Sequence, residues 1–211
     1  MRRSWLVPLA ILAGLAWIAG ILLVSTQADS DPVGARYDAY NRVLTLAIVL
    51  LLASSVAIRR RLAAAGAPGV RAMTAVVVGL ALNLAGNVLE FWGSLAAGQE
   101  TEKTARRLGL EEEFWGSAVG WFVYLAGGLI VVASLVAVAV QLGRWGRISR
   151  LQRLAVGSAG VLMAASSALW AVSPVAAAVP AALTAFAWLA LADVAESAGS
   201  RSPTATGEAP A

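Results

Sequence analysis

From Val119 to Val140 the chain reads VGWFVYLAGGLIVVASLVAVAV, and the next ten residues read QLGRWGRISR. The first segment carries no charge and exceeds the roughly 20 apolar residues that a helix needs to cross a hydrocarbon core. The second places Arg144, Arg147 and Arg150 directly behind it. An uncharged run followed by an arginine-rich turn reads as a membrane-spanning helix whose trailing end stays on the cytoplasmic side.

The pattern repeats along the chain. Apolar runs at about 5–24, 41–58, 72–92, 114–140, 154–172 and 175–192 predict six spans in an all-α, polytopic bundle over residues 1–194. Composition agrees: 59% of the 211 residues are hydrophobic and 13% charged, against about 25% charged in a soluble domain. Too few polar groups remain to cover a water-facing surface, so the lipid bilayer is the expected solvent. Pro174 is expected to end the fifth helix and Pro180 to bend the sixth. Residues 195–211, rich in Ser, Thr, Pro, Ala and Gly, are expected to form a disordered cytoplasmic tail.

Arginine placement sets the direction. With both termini cytoplasmic, the inner segments hold Arg2, Arg3, Arg59, Arg60, Arg61, Arg71, Arg144, Arg147, Arg150, Arg153 and Arg201. The outer segments hold only Arg36, Arg42, Lys103, Arg106 and Arg107, together with Asp29, Asp31, Asp38, Glu100, Glu102, Glu111, Glu112 and Glu113. Met1-Arg2-Arg3 and the first apolar run also resemble a signal peptide. The run of about 20 residues exceeds the 7–15 of a typical signal core, which favours an uncleaved helix; cleavage would leave five spans. The net charge of +4 sits in topology-setting loops rather than in a basic face, so nucleic acid is not an expected partner. Arginine supplies all the basic residues except Lys103. With abundant Ala, Gly and Val this suggests GC-rich coding and a bacterial cytoplasmic membrane.

Cysteine and histidine are absent. Zinc, haem and iron–sulfur centres lose their usual ligands, and Ser-His-Asp or Cys-His catalysis loses its base. No metal and no cofactor is expected, and no catalytic residue stands out. Asp29-Ser30-Asp31-Pro32-Val33 resembles the opening of a calcium loop, but the fifth position is Val33 and the twelfth is Tyr40, neither of which supplies the ligand that such a loop needs.

The third span carries the informative pattern, GLALNLAGNVLEFWGSLAAG from Gly79. At 100° per residue, Gly79, Asn83, Gly86, Asn87 and Glu90 fall within an arc of about 120°. Two readings follow. In one, Asn83, Asn87 and Glu90 bind or pass a small polar solute or cation from the outer side. In the other, Gly79 and Gly86 admit a neighbouring helix while the amides hydrogen-bond across the contact. Gly116 and Gly120, at GxxxG spacing in the fourth span, fit close packing within the chain or a dimer face. Trp115, Trp121 and Tyr124 on the same helix read mainly as interfacial anchors; Trp121 and Tyr124, lying deeper, are also placed to border a cavity. The activity implied is a multi-pass membrane protein with a polar binding face. Its alternative is a non-catalytic assembly partner, as a homo-oligomer or beside another membrane protein. A lipid-modifying enzyme using the external carboxylates is the third and weakest reading.

Overall fold

A computed structural model describes residues 5–27, 35–89, 119–146, 148–169 and 172–200. They form six α-helices and, among the described residues, no strand: α1 Leu6–Gln27, α2 Ala35–Ala64, α3 Val70–Asn87, α4 Val119–Arg144, α5 Arg150–Leu169 and α6 Pro174–Ser200. Five of them, α1, α2, α3, α4 and α6, are long and apolar enough to cross a membrane. The remaining helix, α5, opens on Arg150, Gln152 and Arg153 and carries Ser158, Ser166 and Ser167. Residues 170 and 171, which the expected span 154–172 includes, lie outside the described residues.

The helices close into a ring. Each packs on the next in sequence, α6 returns to α1, and α2 also touches α6. Neighbours run antiparallel: Thr45 and Arg59 of α2 meet Asn87 and Thr74 of α3, and Gly79 and Gly86 of α3 meet Gly127 and Gly120 of α4.

The outward faces say which solvent the ring is built for. Ala10, Ala13, Ala47, Ala177, Ala181 and Ala192 are buried, while Phe122, Leu129, Leu125, Val179 and Phe186 are exposed on the outside. The interior also holds Trp17, Trp188, Ile48 and Leu51, so what marks the solvent is that the outward faces are themselves broadly apolar, more than a water-facing surface carries. In a bilayer the hydrophobic drive between helices is missing, and small residues at the contacts let helices approach closely. The outward faces therefore suit lipid, and the described helices are consistent with a helical membrane bundle.

Local sequence explains the helix ends. α2 closes in a Schellman motif: Ala67 N–H donates to the Leu62 carbonyl at 2.9 Å and Gly66 N–H to the Ala63 carbonyl at 3.1 Å. Gly66 takes φ 61°, a left-handed conformation that glycine adopts without a Cβ penalty. Ahead of α5, Ser149 and Gln152 form a reciprocal capping box, with bonds of 2.9 and 3.1 Å.

Pro174 requires a correction. It starts α6 instead of ending α5, and the Ser173 hydroxyl caps it by accepting from the Val175 and Ala176 N–H groups. Proline suits the first helical position because its missing N–H would be unpaired there anyway. Two boundaries also move. α2 continues through Arg59, Arg60 and Arg61 to Ala64, since arginine is a good helix former. α6 continues to Ser200, into the stretch from 195 expected to be a disordered tail, and buries Ala195 and Ala198. Residues 201–211 lie outside the described residues.

Candidate functional site

The predicted stripe on α3 is buried: Gly79, Asn83, Gly86 and Asn87 all face the protein interior. Its partner is α4. A Cβ added at Gly79 would lie 2.8 Å from the Gly127 carbonyl oxygen, and one at Gly127 would lie 2.5 Å from the Asn83 nitrogen. A Cβ at Gly86 would collide with the Tyr124 backbone nitrogen and stand 2.6 Å from the Gly120 carbonyl oxygen. Three levels of glycine thus bring the two backbones into direct contact, which no larger residue permits. Gly120 is engaged inside the chain; its GxxxG companion Gly116 lies outside the described residues.

Within this tight seam the amides make specific bonds. Asn83 Nδ2 donates to the Tyr124 carbonyl at 3.0 Å, using the second lone pair that a helical carbonyl retains. Thr45 Oγ1 donates to Asn87 Oδ1 at 2.6 Å, tying α2 to α3. The Tyr124 side chain lies beside those of Asn83 and Ser167, which brings α5 into the group. The polar cluster therefore draws on four helices, α2 through α5.

Two atoms of the cluster are left over. Asn83 Oδ1 and Asn87 Nδ2 are buried and meet no hydrogen-bond partner in the protein. Asn83 is 2% exposed and Asn87 0%. A buried amide atom without a partner costs about 1–3 kcal/mol, so each asks for a reason. One is an acceptor and the other a donor, one helical turn apart on the same face.

Glu90 lies outside the described residues, as do Asp29 and Asp31. Among the described residues no three His, Cys, Asp or Glu side chains come together as a metal site would need. The chemistry on hand is neutral hydrogen bonding.

Thr45 and Ser167 did not stand out in the sequence. A lone hydroxyl in an apolar run carries no periodic signal, and only the fold brings it beside an amide. The opposite end of the ring carries Arg60, Arg61, Arg71, Arg144, Arg150 and Arg153, all exposed. There Arg59 Nε donates to Thr74 Oγ1 at 2.7 Å, and Gln152 Nε2 reaches Asp193 Oδ2 at 3.4 Å. The asparagine cluster and most of the described arginines thus lie toward opposite ends of the bundle, with Arg42 near the asparagine end.

The chain matches no protein family, no curated protein and no solved structure.

Proposed function

We propose that this protein is a multi-pass protein of a bacterial plasma membrane, with its arginine-rich end and both termini in the cytoplasm. All six helices span, and the Asn83–Asn87 cluster in the outer half holds a small polar solute. The observation that carries the solute reading is the pair of buried amide atoms, Asn83 Oδ1 and Asn87 Nδ2, that no protein group satisfies. A solute offering both a donor and an acceptor would complete both. The free Asn87 N–H favours an uncharged solute over a cation, because it presents positive charge to the ligand. A role for a cation rests on Glu90.

The test is stopped-flow light scattering on proteoliposomes challenged with urea, glycerol, or sodium and potassium chloride. Entry of an uncharged solute above the protein-free rate, lost in Asn83→Leu and Asn87→Leu proteins that still fold, supports the reading. Equal rates with and without the protein would remove it.

The alternative is a non-catalytic assembly partner, favoured by the absence of cysteine and histidine and so of the usual reactive side chains. Crosslinking in native membranes would then capture a stoichiometric membrane partner or a second copy.

A further inference from the structure

A second group of unsatisfied polar atoms lies on the other side of the ring, where α1, α2 and α6 meet. Trp17 Nε1, Trp188 Nε1 and Ser55 Oγ are all buried without a hydrogen-bond partner in the protein. The three residues are each 0% exposed. An indole N–H can only donate, and buried donors are almost always satisfied, by protein or by a small bound molecule.

The register places these residues on one seam. A Cβ at Gly14 of α1 would contact Ala185 of α6 at 2.6 Å, and one at Gly20 would stand 3.4 Å from the Leu44 Cα of α2. Gly14 therefore marks the direction of α6 from α1, and Gly20, about 240° further round, marks the direction of α2. Trp17, three residues after Gly14, falls midway between them and points into the middle of the triangle. Trp188 stands three residues after Ala185 on the antiparallel helix, so it turns to the same side of the α1–α6 contact. The two Cα levels differ by about 9 Å along the bundle. Each side chain leans toward the N-terminus of its own helix, so the two indoles lean toward each other. Ser55, eleven residues after Leu44, returns to within about 20° of the side of α2 that faces α1, near the level of Trp188.

We propose that this three-helix seam binds one small hydrogen-bond acceptor, a water oxygen or a halide ion, between the indole N–H groups of Trp17 and Trp188, with the Ser55 hydroxyl at its cytoplasmic edge. Both candidates share the required chemistry, since each accepts two or three hydrogen bonds from neutral donors. The seam is distinct from the Asn83–Asn87 cluster and does not depend on it.

The experiment uses the full chain in nanodiscs with its eight tryptophans labelled with ¹⁵N in the indole ring. The Trp17 and Trp188 signals are assigned by Trp17→Phe and Trp188→Phe. If either variant does not fold, benzothienylalanine, which has the shape of tryptophan without the N–H, replaces it. A cross-peak from both indole N–H protons to one long-lived water identifies water. Saturable downfield shifts of both signals on titration with chloride or bromide identify a halide. In either case, removing one N–H abolishes the water cross-peak or the halide shift at the other. Two upfield, unbonded indole signals with no water cross-peak and no response to halide would overturn the proposal.

Discussion

The two buried seams of this bundle solve the same problem in opposite ways. Between α3 and α4, Gly79, Gly86 and Gly127 let backbone touch backbone, and the polar groups are short amides that bond across the contact. Between α1, α2 and α6, the glycines are fewer and two whole indoles fill the space. One seam gains its cohesion from closeness, the other from volume. In a bilayer both act through van der Waals contact, because lipid supplies no hydrophobic push between helices. The difference lies in what each tolerates: the first cannot accept added atoms, and the second cannot accept their removal.

Substitutions can break this contrast, starting with the largest effect. Trp188→Ala should cost about 4 kcal/mol, the range for emptying a large aromatic site, read as a lowered midpoint in detergent-denaturation of the purified protein. A loss under about 1 kcal/mol would mean that the seam is not volume-filled. Gly86→Val should cost about 3 kcal/mol, at the upper end for overpacking, since its Cβ meets the Tyr124 backbone rather than a flexible side chain. Near-native stability there would show that α3 and α4 can separate at no cost.

Smaller changes sharpen the comparison. Asn83→Leu removes the bond to the Tyr124 carbonyl and should cost about 1 kcal/mol, in line with interhelical hydrogen bonds in membranes. A stabilised variant would instead show that the unsatisfied Oδ1 outweighs the bond made by Nδ2. Thr45→Val, nearly the same size, removes the donor to Asn87 and should cost about 0.6 kcal/mol. In a double-mutant cycle with Asn87→Leu, purely additive losses would contradict the contact.

Much of the architecture was legible locally. Apolar length predicted helices at every place where the described residues form one, and Arg59–Arg61, Arg144 and Arg150 do gather at one end of the ring. The misreadings were also local in origin. Pro174 reads equally as a stop or a start, and Ser173 ahead of it decided for a start by capping α6. Ser149 and Gln152 carried a capping-box spacing that pointed to a start for α5 before its apolar run. The candidate site was half visible. The spacing of Gly79, Asn83, Gly86 and Asn87 marked a face, but nothing in it named Thr45, Tyr124 or Ser167 as companions.

The sequence by itself determined that the described residues are helical, that most of these helices are long and apolar enough to cross a membrane, and which side of α3 is polar. Each of these follows from run length, charge spacing and the 100° period, which act within a few turns of chain. Tertiary structure alone decided that the polar side of α3 meets the glycines of α4, and that Trp17 and Trp188 share one triangle. Pairing depends on which of several small-residue faces fit at backbone distance, and that complementarity is a property of two helices at once. The uncharged run at 114–140 is therefore readable as a span from its own residues, but as the partner of α3 only from the fold.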